Sequence, residues 1–168
     1  MCRRDSVGGP DGNLWFTEVT GNKIGRITPS GTITEYPLQT PGSAPIGIHA
    51  GPDGNLWFTE YGGNKIGRIT PAGTITEYPV PTANSQPFGI TAGADGNLWF
   101  TETNSSKVGR ITPSGTVTEY AIPTAGTISY GITDGADGNP RHPGFHTHNP
   151  GRVSLPGTTT AYPPPTAR

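Results

Sequence analysis

Cysteine is nearly absent from this 168-residue chain. Cys2 stands alone, so no disulfide can form within the chain, and thiols say nothing of compartment. Long apolar runs are missing as well. No stretch approaches the ~20 residues that a membrane-spanning helix needs. The opening Met-Cys-Arg-Arg is too short and too polar for a secretory signal. Charge of one sign is also lacking: 11 Lys and Arg face 12 Asp and Glu, for a net charge of −1, with no basic run that would mark a nucleic-acid partner. No Ser–His–Asp or Cys–His constellation and no phosphate-cradling loop can be assembled. Hydrophobic residues make up only 30%. That is thin for one closed core and suits an array in which each unit buries one face against its neighbour.

What is abundant is turn chemistry. The chain holds 26 glycines and 19 prolines, a level that without a period would suggest disorder. Here a period exists. Asp-Gly-Asn-Leu-Trp-Phe-Thr-Glu occurs at 11–18, 53–60 and 95–102, each 42 residues after the last, and a fourth copy opens at Asp137-Gly-Asn139. A repeat near 40 with a glycine turn and a tryptophan in each unit marks a repeat array. Four repeats of 42, at about 1–42, 43–84, 85–126 and 127–168, use the whole chain, the first and last being degenerate.

The second repeat shows the unit most clearly. Ile46–Ala50 is a short apolar strand that ends at the Asp53-Gly54 hairpin turn. Leu56–Glu60 follows as an aromatic and β-branched strand. Lys65–Thr70 and Thr74–Tyr78 complete the unit, with Pro79 suited to an outer edge. No 3.6-residue apolar period appears. The expectation is an all-β fold, a β-propeller of four-stranded 42-residue blades, with a β-solenoid as the weaker rival.

Residues present in every unit serve the unit. Trp15, Trp57 and Trp99 are expected to pack between blades. Asp11, Asp53, Asp95 and Asp137 form turns. The Lys23/Arg26, Lys65/Arg68 and Lys107/Arg110 pairs, with Glu35, Glu77 and Glu119, read as solvated faces or cross-strand ion pairs. Glu18, Glu60 and Glu102 end the second strands. They are either solvated and hydrogen-bonded or a ring of carboxylates facing a channel, able to hold a hard cation.

Residues that break the repeat are the better functional candidates. Phe88 and Tyr130 vary at the position of Ile46, at the entrance of the inner strand. His142, His146 and His148 form a cluster able to take zinc or another imidazole-loving metal. The cluster lies in the window 140–150, which departs from the repeat while the flanks keep its phase, the pattern that two compensating frameshifts would leave.

The units Pro-x-Gly-Ile-x-x-Gly-x-Asp-Gly-x-Leu-Trp-Phe-Thr-Glu, Asn-Lys-Ile-Gly-Arg-Ile-Thr and Thr-Ile-Thr-Glu-Tyr-Pro closely resemble the virginiamycin B lyase (streptogramin B lyase) family. The resemblance implies a seven-bladed, cytoplasmic, Mg²⁺-dependent enzyme that opens a cyclic depsipeptide antibiotic by elimination, with a metal-polarised ester and a histidine base. In that family the histidine stands just before Gly-Ile of the inner strand, and here Ile46, Phe88 and Tyr130 hold that place. A metal carboxylate two residues earlier corresponds to Ala44, Gln86 and Ile128. The family's second carboxylate corresponds to the glutamate of Trp-Phe-x-Glu, giving Glu60 and Glu102 as metal candidates. The expectation is a partial lyase without its catalytic histidine, with Phe88 and Tyr130 contacting the antibiotic. The alternative is a non-catalytic binding or scaffold propeller. Four blades would close alone, pair with a second copy to complete a ring, or form part of a longer reading frame.

Overall fold

The computed structural model describes residues 3–123, 126–144, 150–154 and 157–162. They form four antiparallel four-stranded sheets, each lying inside one repeat and each with its strands in sequence order. The first blade comprises β1 (Arg3–Gly8), β2 (Leu14–Glu18), β3 (Lys23–Ile27) and β4 (Ile33–Pro37). The second comprises β5 (Pro45–Ala50), β6 (Leu56–Glu60), β7 (Lys65–Ile69) and β8 (Ile75–Pro79). The third comprises β9 (Pro87–Ala92), β10 (Leu98–Glu102), β11 (Lys107–Ile111) and β12 (Val117–Ala121). The fourth is shorter: β13 (Thr133–Asp134), β14 (Pro140–His142), β15 (Gly151–Ser154) and β16 (Thr158–Ala161). The innermost strands pack in turn, β1 on β5, β5 on β9 and β9 on β13. This is a four-bladed propeller array. No helix among the described residues is long and apolar enough to cross a membrane.

Each inner hairpin is set by its aspartate. Asp53 Oδ1 accepts from the Asn55 backbone N–H and, at 3.0 Å, from the Trp57 indole N–H. Gly54 takes φ +74°, the left-handed place in this three-residue turn. Asp11 and Asp95 repeat the arrangement with Trp15 and Trp99.

The core lies between the blades. Trp15, Ile24 and Leu38 of the first blade meet Leu56, Phe58 and Ile69 of the second. Trp57, Ile66 and Val80 meet Leu98, Phe100 and Ile111 in the same way. Each tryptophan is fully buried, stacks on a tyrosine (Trp57 on Tyr78, 5.7 Å) and carries an arginine guanidinium over the pair. Arg26, Arg68 and Arg110 therefore stand over aromatic faces, not in the cross-strand ion pairs the sequence suggests. Two of them also donate into the next blade, Arg26 to the Pro71 carbonyl and Arg68 to that of Pro113. The lysines do make ion pairs, Lys65 with Glu77 at 2.8 Å, and Glu77 in turn caps the linker residue Thr40.

A second tie lies nearer the centre. A register shift between Pro45 and Ile48 leaves the Gly47 N–H outside the β5–β6 ladder. That N–H donates to Thr59 Oγ1 at 2.9 Å, and the Thr59 hydroxyl donates onward to the Phe88 carbonyl at 2.7 Å. Thr17 receives the Asp5 N–H and donates to the Ile46 carbonyl, and Thr101 receives the Gly89 N–H.

The fourth blade keeps the register with different residues. Arg141 stands where Trp99 stands one repeat earlier, and it pairs with Asp137 at 3.4 Å. Without a tryptophan beneath it, Arg152 pairs with Asp137 too, at 3.3 Å. His142 takes the place of Phe100, and its ring lies against Gly151 as the Phe100 ring lies against Gly109.

Thr59→Val keeps the side-chain shape and removes the hydroxyl, leaving the Gly47 N–H and the Phe88 carbonyl unpaired. A loss of about 1–3 kcal/mol is expected in urea unfolding. The exposed Thr74→Val should change stability by under about 0.5 kcal/mol.

Candidate functional site

The inner strands meet around a pocket of about 390 Å³, walled by Ile46, Phe88, Ile90, Tyr130 and Ile132, three glycines and Asp5. The small glycines allow the close approach. A side chain at Gly47 would meet the Phe88 carbonyl at 2.6 Å, and one at Gly89 the Tyr130 carbonyl at 2.8 Å. The three positions before these glycines, Ile46, Phe88 and Tyr130, thus line one cavity. Phe88 and Tyr130 meet edge to face, with centroids 5.1 Å apart. Tyr61 supports Phe88 from the other side at 6.1 Å, again on edge.

Two further residues bear on this wall, one behind it and one lining it. Gln86 holds a left-handed backbone, φ +55°, and its side-chain oxygen accepts from the Tyr61 hydroxyl at 2.8 Å. Asp5 comes from the first blade, whose opening residues do not resemble the repeat. Its place 42 residues before Gly47 was the available signal.

The candidate metal residues lie elsewhere. Glu18, Glu60 and Glu102 end β2, β6 and β10 and are 1%, 0% and 1% exposed, so they do not face an open channel. Glu60 accepts from Ser43 Oγ at 2.6 Å and Glu102 from Ser105 Oγ at 2.8 Å. The other oxygen of each, Oε1, is buried without a hydrogen-bond partner. Burial pushes both carboxyls up to about 7. Glu60 and Glu102 are each held inside their own blade, and Ala44, Gln86 and Ile128 offer no carboxylate beside them. Among the described residues no three His, Cys, Asp or Glu side chains come together as a metal cluster. The residues present do not make up a magnesium site of the kind expected from the sequence.

His142 does not reach out for a metal either. It is 2% exposed, its Nδ1 lies 2.9 Å from Ser129 Oγ, and burial holds the imidazole below its ordinary range. His146 and His148 lie outside the described residues.

The family model described as "Virginiamycin B lyase family" matches residues 6–168. The chain belongs to the virginiamycin B lyase family. A catalytically inactive variant of virginiamycin B lyase from Staphylococcus aureus, solved with quinupristin, is 46% identical, with a TM-score of 0.94 over 98% of this chain and 56% of that one. A streptogramin B lyase structure is 36% identical, with a TM-score of 0.92 over 98% of this chain and 55% of the other. Among curated relatives, virginiamycin B lyase from Bordetella parapertussis is 55% identical over 29 residues, which is 17% of this chain and 10% of the relative. The chain spans just over half the length of the solved lyases that it matches. The blades of this family member superpose on theirs, while the places at which a histidine was sought hold Ile46, Phe88 and Tyr130.

The raised carboxyls of Glu60 and Glu102 tie stability to pH. Their folded state holds protons that the unfolded chain, near 4.5, has released. Their contribution is full below about pH 4.5 and fades as pH rises to about 7. His142 acts oppositely, since acid protonates the unfolded imidazole first and costs stability below about pH 6.5. The stability difference between the parent and an E60Q/E102Q double variant should therefore shift by roughly 1–3 kcal/mol across pH 4.5–7. Parallel pH profiles in urea melts would show that these carboxyls are not shifted.

Proposed function

We propose that this chain binds a streptogramin B-type cyclic depsipeptide in its inner-strand pocket and does not, by itself, open the ring. The observation that carries this reading is the Phe88–Tyr130 edge-to-face pair on the pocket wall, with Tyr130 still 41% exposed. An apolar cavity with a few polar groups at its rim is the usual form of a small-ligand site. A depsipeptide offers it apolar side chains to set against this wall. The S. aureus relative solved with quinupristin supports this ligand class.

Ring opening by elimination needs a base at the α-proton within hydrogen-bond reach of a bound substrate. Among the described residues no imidazole lines this pocket, and the three matching positions carry Ile46, Phe88 and Tyr130. Asp5 stands in the glycine place of the repeat, not in the histidine slot, and is held at the rim by the N–H groups of Ser6 at 2.9 Å and Ile48 at 3.0 Å. This family member thus keeps a binding wall of the lyase scaffold without a recognisable base. Magnesium has no part in this reading, since Glu60 and Glu102 are tied to serines in separate blades.

Titrating the protein calorimetrically with quinupristin tests the proposal. Saturable binding is expected, weakened at least about tenfold by Phe88→Ala with Tyr130→Ala, because each ring buries apolar surface worth about 1.5–3 kcal/mol. Unchanged affinity in that double variant would reject the pocket. Incubation with Mg²⁺ should give no linear product by mass spectrometry and no rise in melting temperature. Turnover at enzyme-like rates would show that the chain carries its own base.

A further inference from the structure

Among the described residues Asp5 is the one charged side chain lining the inner-strand pocket. Its position in the repeat belongs to glycine, at Gly47, Gly89 and Gly131. The fold gives a reason for glycine in the second and third blades, where a side chain would strike the next inner strand's carbonyl. In the first blade the side chain reaches across the same gap, and its Oδ2 accepts the Ile48 N–H at 3.0 Å while Oδ1 accepts the Ser6 N–H at 2.9 Å. These two bonds fix the carboxylate at the pocket rim. A carboxylate has about four lone-pair sites, so both oxygens keep acceptor capacity toward the cavity. Asp5 is exposed, which leaves that capacity open to an entering group.

Resting on the pocket reading above, we infer that Asp5 makes this site selective for ligands that join an apolar or aromatic body to a cationic nitrogen. The apolar body fills the space against Phe88, Ile90 and Ile132, and the nitrogen donates to Asp5. A neutral or anionic group at that end meets the carboxylate without a charge partner. The device serves discrimination more than affinity, because an exposed ion pair contributes only modestly and is weakened by salt.

A matched pair of small probes tests this on the full chain. 4-Phenylbutylamine is a cation at neutral pH, and 4-phenylbutanol has the same length and ring without the charge. NMR titration at low ionic strength should show the amine binding about fivefold more tightly than the alcohol. The preference should shrink at 0.5 M salt, and Asp5→Asn should bring the two affinities together. Asparagine keeps an acceptor for the Ile48 N–H, so the inner strands stay tied. The parent protein alone already decides the matter through the probe pair, whatever the variant's stability. Equal affinity of amine and alcohol for the parent, with Phe88 and Tyr130 resonances shifting in both, overturns the charge selectivity and leaves the pocket standing. A preference that survives Asp5→Asn in folded protein also overturns it. Failure of both probes to perturb those resonances removes the pocket and this inference together.

Discussion

Everything in this molecule depends on how one blade is joined to the next, because no blade holds a closed core of its own. The central tie is a threonine. A bulge in the inner strand frees the Gly47 N–H, Thr59 takes it, and the same hydroxyl passes its proton-donating side to the Phe88 carbonyl of the following blade. One side chain thus satisfies a donor in its own sheet and an acceptor in its neighbour's, where an orphan of either kind would be costly. Farther out, the tryptophan, tyrosine and arginine of one blade close over the turn of the next. Position between blades is set by the polar relay, and the apolar interface supplies the burial around it.

This division explains where the pocket comes from. The inner strands approach closely enough for glycine alone in the middle of the array, so the residues just before each glycine are brought to one wall. A side chain can therefore change at Ile46 or Phe88 without disturbing the ties, since those use the backbone carbonyl at each place. The relay holds the carbonyl and lets the side chain differ from blade to blade. That is how one blade design carries an isoleucine in the second repeat and aromatic rings in the third and fourth.

Much of this was readable from residues alone. The 42-residue period placed the strands, the aspartate turns and the inter-blade tryptophans, because local turn chemistry and a large aromatic each constrain only their immediate surroundings. Phe88 and Tyr130 stood out as departures from the repeat, and the structure brings them together. The glutamates were harder. A carboxylate at a strand end reads equally as channel-facing or buried, and only the serine across the blade decides it. The arginines misled for a different reason, since each sits between a tryptophan on the strand before and a tyrosine on the strand after, and only the sheet brings the two rings together beneath it. Asp5 was hidden by the irregular opening of the first blade, where nothing but phase connects it to Gly47. His142 shows the limit of residue type as evidence, for it fills the space of a phenylalanine.

Leu56 and Leu98 are wholly covered by the preceding blade, whereas among the described residues Leu14 is 43% exposed and Ile33 49%. The joint between blades is directional: a leucine-bearing front is covered by a tryptophan-bearing back. In the fourth blade Arg141 stands in the tryptophan's place, paired with Asp137. Where the other repeats set a buried indole into the joint, this one sets a solvated charge pair, so the same register is kept by water-facing chemistry instead of by burial.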